Sequence, residues 1–299
     1  MTRPATAPII AFAMGCVGIA LFSGMDAIMK AQSIAIGAYS AMFWRSLLGS
    51  VLGGAIFFGG GGRLPGWRAM RLHLIRGSFG ALSIVLFFWG LTRVPLAQGI
   101  ALAFISPLVA IGLAALVLKE QVGRAAIIGS VTAFAGVGVI LIGQAQAEMG
   151  PDAFRGAVAI LIAAMLYGAS NVMLRVQAQS ASPLEVAFAT NFVFFLCYLA
   201  ATPFVALTPM AGLGGTGWIA AAAVLALVSI QALAWAYARA DASYLAPVEY
   251  TAFAWAALLG WLVFAEVVSP WTVAGAGLIV AGCILAARSK TGKGVEAAI

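Results

Sequence analysis

Residues 88–136, FWGLTRVPLAQGIALAFISPLVAIGLAALVLKEQVGRAAIIGSVTAFAG, decide the fold when set beside residues 234–282, AWAYARADASYLAPVEYTAFAWAALLGWLVFAEVVSPWTVAGAGLIVAG. Shifted by 146, Trp89 falls on Trp235, Arg93 on Arg239, Glu120 on Glu266, Gly129 on Gly275 and Gly136 on Gly282. Upstream, Ser83-Ile84 falls on Ser229-Ile230 at the same shift. An unbroken register of this length, through helices and loops alike, marks the second half as a duplicate of the first. The duplicated unit holds five apolar spans, so the two copies point opposite ways across a membrane.

Composition supports spans rather than a soluble core. Of 299 residues, 64% are hydrophobic and 8% charged, and the mean hydropathy is +1.08. A soluble domain carries about 25% charged residues. A helix needs roughly 20 mostly apolar residues to cross about 30 Å of hydrocarbon. Ten runs meet that need, at 8–29, 37–58, 71–92, 95–118, 124–143, 154–175, 184–207, 217–238, 243–264 and 270–288. They are too long and continuous for the alternating strands of a barrel. The expected fold is an all-α membrane protein, ten transmembrane helices in two inverted five-helix repeats around a central cavity. Residues 1–143 form the first repeat, 144–153 a polar linker containing Gly150-Pro151, 154–288 the second repeat, and 289–299 a disordered cytoplasmic tail.

The net charge of +7 is a topology signal, not a nucleic-acid footprint. With the N-terminus in the cytoplasm, the inner loops hold Arg3, Arg63, Arg68, Arg71, Lys119, Arg124, Arg175, Arg239, Arg288, Lys290 and Lys293. The outer side holds Lys30, Arg93 and Arg155. Eleven basic residues against three place both termini in the cytoplasm. The first span is read as an anchor that stays, not a cleaved signal. Cys16, Cys197 and Cys283 fall within spans and read as free thiols packed as small apolar groups.

Inverted repeats are characteristic of secondary transporters, with the substrate site where the repeats meet. Ionisable groups within or beside spans are functional candidates because lipid is a costly place for them. Here they are Asp26, Arg45, Arg76, Glu249 and Glu185. Depth along the spans suggests two pairings, Asp26 with Arg45 in the outer half and Arg76 with Glu249 in the inner half. Such pairs suit two gates that open in turn, or serve only to hold helices together. Asp26 and Lys30, spaced i, i+4, share a helix face.

Glu249 has Ala103 as its repeat mate, so the duplication does not require it. With Tyr250 it is expected to face the cavity, binding a proton or a cationic substrate group. Gln98, Asn171, Asn191 and Gln231 are uncharged polar candidates, each equally readable as an interhelical hydrogen bond. Trp89 and Trp235 either line the cavity and stack on substrate or sit in the interfacial belt with Trp67, Trp218 and Trp271. Ser106-Pro107 lies mid-span and predicts a kink. Glu120 and Glu266 read as structural, with Ser269 as N-cap and Pro270 opening the last span. Glycines at 129, 136 and 138, and at 275, 277 and 282, form small-residue faces suited to close helix packing.

No His-Glu-x-x-His, Walker loop or Gly-x-Ser-x-Gly occurs, and one histidine makes no usual metal site. No enzyme activity, cofactor or metal is expected. No repeated filter sequence supports a channel.

The ten spans and the motifs Met25-Asp26-Ala27-Ile28-Met29-Lys30, Phe43-Trp44-Arg45, Ile75-Arg76-Gly77, Ile105-Ser106-Pro107 and Pro247-Val248-Glu249-Tyr250 resemble the EamA family of the drug/metabolite transporter superfamily. The resemblance implies a basket of helices whose cavity is lined mainly by spans three, four, eight and nine. It also implies export of amino acids or other metabolites, with uptake of riboflavin or S-adenosylmethionine as the alternative. A channel or a non-transporting scaffold is the alternative from another class. The expected partners are a small-molecule substrate and the lipid bilayer of the inner membrane; monomer and homodimer both stay open.

Overall fold

The computed structural model describes residues 8–118, 124–146, 150–177, 181–210, 212–239 and 242–291. Within them the chain forms α1 (Pro8–Ile36), α2 (Ala38–Gly59), α3 (Trp67–Leu91), α4 (Leu96–Ala103), α5 (Ser106–Leu118) and α6 (Arg124–Gln146). After these come α7 (Gly150–Gln177), α8 (Pro183–Ala201), α9 (Gly212–Tyr237), α10 (Ala242–Phe264) and α11 (Pro270–Thr291), and no strand occurs among the described residues. Seven helices are each long and apolar enough to cross a bilayer. Shorter apolar stretches lie at Leu96–Ala110, Ile127–Gly143 and Pro270–Leu285. The chain is a multi-pass, all-helical membrane protein. Trp67, Trp218 and Trp271 are exposed near helix starts, the place of interfacial aromatics.

Two stretches expected as loop and tail are partly helical. Helix takes residues 144–146 and 150–153 of the expected linker, because Pro151 and Asp152 suit the first turn of α7. Likewise α11 runs on to Thr291, into the expected tail. Residues 147–149 and 292–299 lie outside the described ones, as do Lys119 and Glu120.

Packing runs chiefly between the halves. α1 packs on α9, α3 on α7, α2 on α8, α6 on α11 and α4 on α10. Exchanging first-half helices for their second-half counterparts leaves this set unchanged. The relation recurs in single contacts. A Cβ on Gly136 would lie 2.6 Å from the Gly275 carbonyl and crowd Ile279. Its mate Gly282 would place one 2.4 Å from the Gly129 carbonyl and crowd Ala133. Only glycine lets the α6 and α11 backbones meet this closely. Ser83 donates to the Ala163 carbonyl and its mate Ser229 to the Gly18 carbonyl, both at 2.8 Å. Phe104 and Tyr250, themselves 146 residues apart, meet edge to face with ring centroids 5.5 Å apart.

The kink predicted at Ser106-Pro107 is a break between α4 and α5. Pro107 has no N–H to give Ala103. The Leu108 N–H turns to the Ile105 carbonyl at 3.0 Å, which frees the carbonyl of Phe104. The Cys283 thiol then donates to that carbonyl at 3.2 Å. Broken backbone at membrane depth is tolerated where protein satisfies it. Here α11 does so.

Candidate functional site

The site emerges from two side chains that are accessible on faces turned toward protein. On α7, Ile160, Ala163, Ala164 and Ser170 are buried, and Tyr167 belongs to their stripe. Yet Tyr167 is 48% exposed and at the same time enclosed by surrounding protein. Met165, two residues and about 200° away around the helix, is 58% exposed on the opposite, lipid-facing side with Ile162. On α10, Glu249 shares a stripe with buried Leu245, Ala256 and Gly260, and it too is exposed. The outward face of that helix carries Leu258, Trp261 and Leu262. Tyr167 lies within electrostatic reach of Glu249, Arg76 and Asp26. Charged groups of α1, α3 and α10 thus gather around Tyr167 on α7.

Of the two expected pairings, Asp26 keeps Arg45 as its charged neighbour and Arg76 does not meet Glu249. Asp26 is buried on α1 and Arg45, half-buried on α2, is its charged neighbour. Among the described residues no direct ion pair closes between them. Lys30 does not turn to Asp26. Its ammonium donates to Glu266 and, at 2.9 Å, to the Val94 carbonyl, with the Phe264 ring 4.9 Å away. The other Glu266 oxygen accepts the Leu96 N–H at 2.7 Å. Glu266 thus caps α4 and neutralises Lys30, a structural role as expected, while Ser269 caps α11 through the Thr272 N–H.

Arg76 and Glu249 form no pair with each other. Buried Arg76 donates Nη2 to Thr190 Oγ1, and its Nε has no hydrogen-bond partner. Glu249 accepts from the Tyr237 hydroxyl at 2.9 Å. The reason is placement: depth along a span says nothing of where a residue sits around the bundle.

Trp89 and Trp235 repeat one arrangement. The Arg93 guanidinium lies 3.5 Å from the Trp89 ring centre and donates to its carbonyl, and Arg239 does the same to Trp235 at 4.1 Å. One face of each ring is thereby taken by its own arginine. Tyr250 rests edge to face on Phe104, whose carbonyl accepts from Cys283. Gln98 is buried on α4 with its amide nitrogen unpartnered. Gln231 is exposed on α9. Asn191 bonds its own helix at the Ala187 carbonyl.

Sequence reasoning missed Tyr167 as the hub. Its spacing from Asn171, i to i+4 on one polar face of an apolar span, was the available signal. It also missed the cluster at which His73 Nε2 meets Glu185 at 3.0 Å and Nδ1 meets the Gln177 amide. Among the described residues no group of His, Cys, Asp or Glu could hold a metal.

Comparison with known proteins follows the same lines. The profile of the EamA-like transporter family matches residues 9–142 and again 154–288. The pseudopaline exporter CntI of Pseudomonas aeruginosa is 28% identical over 278 residues, 91% of this chain and 93% of its own. A riboflavin transporter of Vibrio cholerae is 33% identical over 216 residues, 70% of this chain and 68% of its own. Another, from Rhizobium johnstonii, is 29% identical and spans 96% of this chain and 94% of its own. One solved crystal structure covers 94% of this chain with a TM-score of 0.58 at 23% identity, a likeness of fold.

Proposed function

Because the chain belongs to the EamA-like transporter family, we propose that it carries a small metabolite across the bacterial inner membrane by alternating access. In this reading ten spans form two inverted five-helix repeats, residues 1–143 and 154–288, joined at 144–153, with both termini cytoplasmic. The substrate is an amino acid or a related compound and the direction is export. What supports the proposal is the accessibility of Tyr167 and Glu249 on otherwise buried helix stripes, which we read as the wall of an internal chamber. Substrate sites of inverted-repeat transporters lie between the repeats near mid-membrane, beside interrupted helices. The α4–α5 break and the exchange-related packing fit that pattern. Asp26, Arg45, Arg76 and Glu249 are the charges that would be rearranged as access alternates.

Uptake of riboflavin is the second reading, favoured by the names of two relatives spanning much of this chain. Counterflow in proteoliposomes separates the readings. Vesicles preloaded with amino acids, riboflavin or S-adenosylmethionine are diluted into trace label at two pH values. Accumulation of label against unlabelled amino acid supports the first reading, and accumulation with riboflavin alone the second. A scaffold gives no flux, and an open pore gives no transient accumulation.

A further inference from the structure

The chamber's charges do not cancel evenly. Asp26 and Arg45 are charged neighbours on α1 and α2, each the other's opposite charge. That leaves Arg76 and Glu249. Arg76 is 7% exposed, its Nη2 reaches only the neutral Thr190 hydroxyl, and its Nε is buried without a partner. Thr190 gives its own proton to the Val186 carbonyl at 2.6 Å, so it offers Arg76 a lone pair and no charge. Glu249 meets only the neutral Tyr237 hydroxyl. Neither residue forms an ion pair among the described residues. A buried charge without an opposite partner is costly. Two of opposite sign, both in reach of Tyr167 and left apart, form a dipole in the wall that a dipolar guest complements.

We infer that Arg76 and Glu249 are the two poles of a subsite for a zwitterionic solute. Arg76 receives its carboxylate-like group and Glu249 its ammonium-like group. Tyr167 and Asn171, one helical turn apart on α7, form the neutral polar floor between them. The guanidinium offers its free Nη hydrogens, the charged donors that carboxylates match. The inference rests on the carrier reading above and adds the substrate's charge pattern.

The test is counterflow with the full-length protein in liposomes. Vesicles loaded with the twenty amino acids identify one that is carried. Its carboxamide, which lacks the anion, and its N-acetyl form, which lacks the cation, are then compared with it. Wild type should carry the parent compound at least about tenfold better than either capped form, the loss expected for about 1.4 kcal/mol of charge-assisted bonding. Arg76→Gln should lower parent transport to the carboxamide level while leaving the carboxamide unchanged. Glu249→Gln should do the same for the N-acetyl form. Arg76→Lys should keep part of the preference.

Equal wild-type transport of parent and capped forms overturns the inference without reference to any variant. So does a parallel loss of all three compounds in both glutamine variants. If riboflavin is carried and no amino acid is, the zwitterion subsite falls while the carrier reading stands. If no compound is carried, both fall together.

Discussion

Glu266→Gln tests how one end of the bundle is held. The side chain joins three distant places: the Lys30 ammonium on α1, the first N–H of α4, and its own loop before α11. Glutamine keeps an acceptor for Leu96 and removes the charge. Lys30 is then a cation with a 3% exposed side chain and no anion. Removing one member of a buried pair costs about 3–5 kcal/mol. The Val94 carbonyl and Phe264 ring remain beside Lys30, so we take the lower end, about 3 kcal/mol. Glu266→Ala also strips the cap from α4, about 1 kcal/mol more. The decisive variant is Lys30→Met with Glu266→Gln, which removes the orphaned cation and should recover at least about 2 kcal/mol. Unfolding in mixed micelles, followed by tryptophan fluorescence, reads all four corners of the cycle. Single losses that add within about 0.5 kcal/mol would refute the coupling.

Three further outcomes follow from the packing. Gly282→Val forces a side chain against the Gly129 carbonyl and Ala133 and should cost about 1–3 kcal/mol; Gly138→Val, where nothing lies within 4 Å of the new Cβ, should be close to neutral in the same unfolding assay. Ser83→Ala and Ser229→Ala each lose one exchange-related interhelical hydrogen bond and should each cost about 0.6 kcal/mol, two losses of similar size. Arg93→Leu and Arg239→Leu uncover the rings of Trp89 and Trp235; both should change the tryptophan emission, and an unchanged spectrum would count against the stacking.

Much of this architecture was legible because lipid imposes a simple rule on a chain. Apolar runs of span length announce helices, and the register of Trp89 on Trp235 and Gly136 on Gly282 announces the duplication. The small-residue faces were readable too, and α6 and α11 meet on them. Neighbourhood was not readable. Nothing in the order of residues says that Lys30 finds Glu266, 236 positions away, instead of Asp26 one turn along its own helix. The Arg76–Glu249 pairing failed for the same reason, since depth gives one coordinate and pairing needs the angle around the bundle. Tyr167 was hidden because one tyrosine in an apolar span looks like any other buried ring. Only its accessibility on a protein-facing stripe reveals it. The polar stretch at 144–153 misled because composition reports solvent exposure, and a helix start can be as polar as a loop.

The central claim is an enclosed chamber that opens to water. Cysteine labelling at Tyr167 tests it most directly, with Cys16, Cys197 and Cys283 replaced by alanine. A thiol reacts as its thiolate, which forms in water and not in lipid. In membrane vesicles Tyr167→Cys should react with a small, membrane-impermeant thiol reagent, and the transported substrate should slow that reaction. Met165→Cys, on the outward face of the same helix, should stay unreacted. Equal inertness of the two cysteines, or faster reaction at 165, would contradict the chamber.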